Sequence, residues 1–297
     1  MDSQRYAGDL ELGSLYGMSA AYGVALGVWF DVELDLSDPG LALIAPAVLG
    51  VGAPVGVYFW NESSRLKRGV PAAVAAGLTL GAGEGLAIAG YQYVTNDEDS
   101  SIGFRGLSRI VVMSSTLGGA AGFVAGSLQE PSPYLSALVS SGAIWGAAIG
   151  SAIGYGRSEE GVGYGRSNDT GALGGLIGYN VGIAGAAAMA TAFVPTEDQL
   201  IWMWSGAGIG AAVSLPVFLF YAGDDTPPAK RGFVFTGVAM SLGIVAGGVF
   251  APRRGSGAAS SEANRLSDSP FGVRLSHFGL APVGPRGLGF GVSGTLN

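Results

Sequence analysis

Between residues 13 and 251 the chain is a succession of eight apolar runs, most of them as long as the ~20-residue helix that crosses a ~30 Å hydrocarbon layer at 1.5 Å per residue. The runs cover residues 13–30, 41–60, 70–94, 107–128, 134–155, 171–194, 200–223 and 232–251. Charge collects in the breaks: Asp31, Glu33, Asp35 and Asp38, then Glu62 to Arg68, Asp97 to Asp99, Arg157 to Asp169, Glu197 with Asp198, and Asp224 to Arg231. Only 12% of the residues are charged, about half the usual ~25% of a soluble domain. Such a chain has too little charge to cover a water-facing surface. The expectation is an all-α fold, a polytopic transmembrane helical bundle.

Glycine supplies the second constraint. The 297 residues include 53 glycines, well over twice the usual share of ~7%. Many recur every fourth residue, on one face of a helix: Gly118, Gly122 and Gly126; Gly142, Gly146, Gly150 and Gly154; Gly174, Gly178 and Gly182. In lipid the hydrophobic effect does not drive helices together, so association depends on close packing, and small residues let backbones approach. These stripes are expected contact faces.

The same positions point to an internal repeat. Odd-numbered runs align on Gly17, Gly77, Gly142 and Gly206, followed four residues later by Ala21, Gly81, Gly146 and Gly210. Even-numbered runs align on Leu49-Gly50, Leu117-Gly118, Ile177-Gly178 and Leu242-Gly243, followed by Pro54, Gly122, Gly182 and Gly247. The odd runs are spaced by 60, 65 and 64 residues and the even runs by 68, 60 and 65, which reads as repeated hairpins of about 60 to 65 residues. The expected organisation is a polar segment at 1–12, two-helix repeats at about 13–63, 70–128, 132–194 and 196–251, a Ser/Ala/Gly-rich linker at 252–270, and a tail at 271–297 with a β-hairpin from 273–280 and 288–296.

Chemistry is sparse. Fifteen Lys and Arg are scattered in a chain of net charge −7, which gives no basic face for nucleic acid. There is no cysteine and a single histidine, His277, so neither a thiolate or histidine metal cluster nor a Ser-His-Asp arrangement can be assembled. Gly289, Gly291 and Gly294 have dinucleotide-loop spacing, but no helix follows at that point. No catalytic residue, cofactor or metal is expected, and the chain reads as a non-enzyme.

Two intramembrane polar residues define the candidate ion pathway. Glu84 is the one acid well inside an apolar run, and an ionisable group at bilayer depth is by default a functional hypothesis. Its alternative role is a hydrogen-bonded packing group within the bundle. Asn180, in the sixth run, is a weaker candidate of the same kind and equally suited to interhelical bonding. The acids Asp31, Glu33, Asp35 and Asp38 offer carboxylate oxygens without the ordered spacing of an EF-hand.

The small-residue stripes resemble those of glycine-zipper membrane proteins, and the repeated hairpins with a Gly-rich tail look like uncharacterised multi-helix envelope membrane proteins of Gram-negative bacteria. That resemblance implies a location in the bacterial cell envelope, inner or outer membrane, and no functional residue. The leading functional reading is a structural or scaffold protein with lipid, copies of itself or envelope proteins as partners. The rivals are a channel or transporter with Glu84 in its pathway, and a soluble helical-repeat binding protein.

Overall fold

A computed structural model of the chain describes residues 6–95, 102–129, 131–158, 164–221, 228–251, 273–282 and 288–296. The linker at 252–270 and the acids Asp97, Glu98, Asp99, Glu159, Glu160, Asp224 and Asp225 lie outside the described residues. The chain divides into two compact units, Met1–Pro252 and Arg253–Asn297.

In the first unit the described part of each apolar run lies largely in one α-helix: α1 (Asp9–Glu33), α2 (Ile44–Ser64), α3 (Val70–Thr95), α4 (Gly103–Gln129), α5 (Pro133–Arg157), α6 (Tyr164–Ala192), α7 (Glu197–Ser214) and α8 (Gly232–Phe250). Seven of the eight are long and apolar enough to cross a membrane. The eight expected helices are present, and α1 alone among them falls short of the combined length and apolarity of a membrane span. The exception is α1, which is long enough but carries Asp9, Glu11, Asp31 and Glu33 towards its ends and Ser14, Tyr16, Ser19 and Tyr22 between them.

Local chemistry sets the helix ends. α1 starts four residues before the apolar run because Asp9 and Glu11 occupy its first turn, where the helix dipole favours negative charge. Thr196 and Gln199 form a reciprocal capping box at the start of α7, satisfying two backbone donors. α7 tightens to a 3-10 helix over Leu215–Tyr221, where Pro216 lacks the N–H that an α-helix needs. Between α2 and α3 the chain turns at Gly69, with φ of +85°, and the Gly69 amide donates to the buried Glu11 carboxylate at 2.7 Å.

Consecutive helices pack as pairs, α1 with α2, α3 with α4, α5 with α6 and α7 with α8. The glycines of the stripes lie in these seams. A Cβ added to Gly77 would overlap the carbonyl oxygen of Gly118, and one on Gly118 that of Gly77. The same reciprocal relation holds for Gly146 with Gly178, Gly150 with Gly174, Gly142 with Gly182 and Gly206 with Gly243. Gly81 meets the Ser114 carbonyl, Gly122 that of Ala73, Gly154 that of Thr170, Gly210 that of Ala239 and Gly247 that of Trp202, while Gly126 lies against the Cα of Val70.

The first pair departs from the sequence alignment. Gly17 has open space around it, and the residues on the α2 backbone are Gly23, against Leu49, and Gly27, against Pro46. Gly23 and Gly27 are four apart with no methyl on either, whereas Gly17 is followed four later by Ala21, so the closer approach falls at the former pair.

Between pairs, contacts run in chain order: α1 with α3 and α4, α3 with α5 and α6, α5 with α7 and α8. Leu15, Leu66, Val70, Val74 and Leu78 form one buried cluster. Leu138, Trp145, Ala186, Leu200, Met203 and Ile244 form another, in which the Trp145 and Trp204 rings lie 5.2 Å apart. In the second unit, β1 (Val273–Pro282) and β2 (Leu288–Leu296) pair antiparallel, with Val273 opposite Leu296 and Pro282 opposite Leu288.

These seams predict opposite outcomes for two glycine substitutions. Gly146→Val drives a side chain into the α6 backbone and should cost at least the ~1–3 kcal/mol of overpacking. Gly185→Ala, at a position with nothing within 4 Å, should be neutral or stabilising by up to ~1 kcal/mol of helix propensity. Unfolding in detergent micelles with SDS as denaturant measures both.

Candidate functional site

Glu84 lies near the middle of α3 and Asn180 near the middle of the apolar part of α6. The structure brings them together. Asn180 Nδ2 donates to Glu84 Oε2 at 2.9 Å and to the Leu176 carbonyl of its own helix at 3.1 Å. One residue earlier, the buried Tyr179 donates from its hydroxyl to the Leu80 carbonyl of α3 at 2.7 Å. Its ring lies over Gly83, where an added Cβ would come within 2.9 Å of two ring carbons. Gly83 therefore admits the tyrosine, and the tyrosine sets the height at which Asn180 meets Glu84. Glu84 is half-buried and Asn180 exposed.

This cluster joins the second helix pair to the third. An amide donor, a carboxylate, a phenol and a backbone carbonyl satisfy one another across the α3–α6 contact, which suits interhelical bonding. Three cavities of the first unit lie elsewhere: one lined by Arg157, Tyr221 and Arg231, one by Asp31, Asp35 and Arg105, and an apolar groove over the α7–α8 seam along Gly206, Gly210 and Gly243. None of these three is lined by Glu84 or Asn180.

Sequence reasoning did not find the other joints. Tyr22 shares a 2.7 Å hydrogen bond with Thr116, linking α1 to α4, and Trp204 Nε1 donates to Ser141 at 3.0 Å, linking α7 to α5. Partners this far apart in the chain follow no periodicity, and serine, threonine and tyrosine in an apolar run give no signal of where they point.

The acidic turn after α1 is organised by α4. Arg109 grips Glu33 with two hydrogen bonds, Nε to Oε1 at 2.5 Å and a terminal nitrogen to Oε2 at 2.7 Å. Arg105 donates to Asp35 at 2.6 Å and to the Val32 carbonyl at 3.0 Å. Asp38 caps its own turn, accepting from the amides of Gly40 at 2.7 Å and Leu41 at 3.1 Å. Three of the four acids are thus engaged by arginines or backbone. The Arg109 hydrogen bonds hold the Glu33 carboxyl below its ordinary pKa against the opposing effect of desolvation, with lesser help from the Arg109 charge, the Trp29 indole and the Arg105 charge.

The chain matches no family model, and comparisons with curated proteins and with solved structures return no match.

Two measurements test these joints. A double-mutant cycle of Glu84→Ala and Asn180→Ala should return a coupling of ~0.6 kcal/mol, with ~1.7 kcal/mol as the ceiling seen for intramembrane pairs; additive single effects would dissolve the joint. The depressed Glu33 pKa means that its pair favours the folded turn above the ordinary carboxyl range of ~4.3, and that this contribution is lost as pH falls through the depressed value. Hydrogen exchange of residues 31–36, corrected for intrinsic rates, should accelerate over that acid window in the native chain. In Arg109→Gln the corrected exchange should already be fast at neutral pH.

Proposed function

We propose that the chain is an integral membrane structural or scaffold protein of a bacterial envelope, without catalysis of its own. In this reading four copies of one ancestral two-helix unit, closed by glycine-zipper packing, carry a short β-hairpin tail, and the partners are the lipid bilayer and copies of itself or other envelope proteins. The observation that carries the reading is α2. It has no buried residue, yet with the 3-10 turn Leu41–Leu43 before it it makes a 24-residue candidate span among the most hydrophobic of the chain, with Val48, Val51 and Phe59 each more than 60% exposed. In water such a face would be an aggregation liability; against lipid tails it needs no cover. A soluble repeat protein would place charge there.

The Glu84–Asn180 contact favours packing over transport. A carboxylate at the α3–α6 contact that accepts an amide hydrogen bond contributes to the joint between helix pairs, and the channel reading asks for a water-filled path along it.

The protein should stay with the membrane pellet through alkaline carbonate and high salt and be released by detergent. Recovery in the carbonate supernatant would sink the membrane reading. In reconstituted vesicles, Glu84→Gln should leave the flux of protons and monovalent cations unchanged, at the level of protein-free vesicles; a flux that the native chain supports and the variant loses would replace scaffold by channel.

A further inference from the structure

Asp31, in the last turn of α1, has a carboxylate oxygen left without a hydrogen bond. The residue is 7% exposed and that oxygen, Oδ1, is buried, although buried polar atoms are nearly always paired. The side chain lines a cavity of about 700 Å³ between the end of α1, the turn that follows it and the start of α4. That volume falls within the ~300–1,000 Å³ of small-molecule sites. We infer that this cavity binds a ligand bearing a primary ammonium group, with Asp31 as its counter-charge.

The charge balance selects the class. Glu33 and Asp35 are neutralised by Arg109 and Arg105, so Asp31 is left as a single carboxylate and calls for a single positive charge. A divalent metal would want several hard oxygen ligands, and among the described residues no three acidic or histidine side chains converge. Besides Asp31 the walls are Ser37, the Arg105–Asp35 ion pair, whose positive charge is taken up by Asp35, the aliphatic Val28, Val32, Leu36 and Ala42, and Phe104, whose ring adds attraction for a cation. An ammonium can give the buried carboxylate the hydrogen bonds it lacks.

The cavity lies where α4 begins its apolar span. If that span crosses a bilayer, the site is at headgroup level, and the ethanolamine headgroup of a phospholipid is one source of the ammonium; a free amine from solution is the other. Only the lipid source rests on the membrane reading, since binding of free amine in detergent is independent of it.

The full-length protein is purified in detergent, and bound lipid is counted by native mass spectrometry after exchange into nanodiscs of phosphatidylethanolamine or phosphatidylcholine. Thermal unfolding is followed with ethanolamine, spermidine or magnesium chloride added. The native chain should retain phosphatidylethanolamine at least tenfold over phosphatidylcholine, or be stabilised by millimolar free amine if solution is the source. Asp31→Asn, which keeps the shape and removes the charge, should abolish either effect, and Ala42→Phe, which keeps the charge and fills the cavity, should do the same. Glu62→Gln, an exposed acid at the far end of α2, should bind like the native chain. If Asp31→Asn fails to fold, Ala42→Phe carries the comparison. Equal retention of both lipids with no amine effect, retention unchanged in the variants, or stabilisation by magnesium alone would each overturn the assignment.

Discussion

At the seam of α5 and α6, the carbonyl oxygen of Gly178 occupies the space that a Cβ on Gly146 would take, and the carbonyl of Gly146 does the same for Gly178. Two helices approach this closely where at least one of them carries no side chain at the contact, and along this seam α5 presents a glycine at four successive turns, Gly142, Gly146, Gly150 and Gly154, facing Gly182, Gly178, Gly174 and Thr170. The approach maximises dispersion contact between backbones, each atom pair weak and the sum large. For helices whose outer faces are as apolar as these, packing of this kind replaces the solvent-driven burial that assembles a water-soluble bundle. Everything else in the first unit is hung on the rigid helix pairs it produces.

The pairs are joined to one another by different means. Where helices of one pair meet, the contact is backbone on backbone. Where neighbouring pairs meet, aliphatic side chains such as Leu15 against Val70 and Val74, and Leu138 against Leu200 and Met203, are joined by polar and aromatic contacts: Tyr22 with Thr116, Arg109 with Glu33, Tyr179 with the Leu80 carbonyl, Asn180 with Glu84, Trp204 with Ser141. Glycine seams have little to distinguish one register from another beyond shape, whereas a hydrogen bond at a fixed height along a helix locks a neighbour to one position. Most of these polar contacts fall where successive pairs touch, while Ser214 with Thr236 adds one inside the α7–α8 pair.

Asp31 stands apart from this economy. Its neighbours in the acidic turn are spent on arginines or on capping the backbone, and it is the one left both buried and unpaired beside open space. Among the described residues Gln92, Trp145 and Asp169 also bury an unpartnered polar atom, and Asp31 differs from them in lining one of the three cavities described above.

The sequence by itself determined the helices, their approximate ends and the faces on which they could pack. Hydrophobic run length and the four-residue recurrence of glycine are properties of neighbours in the chain, and 3.6 residues per turn converts them directly into helix faces. It could also nominate Glu84 and Asn180, because a polar residue inside an apolar run stands out wherever its partner lies. Tertiary structure decided the rest: that these two residues meet each other, that Gly23 and Gly27 close the first seam in place of Gly17, that Arg105 and Arg109 are spent on Asp35 and Glu33, and that Asp31 is left over. Each of these depends on the relative height and rotation of two helices, whether consecutive, as for Gly23 and Gly27 against α2, or far apart in the chain. Those offsets are set by side-chain fit at the contact, and no periodicity within either helix encodes them.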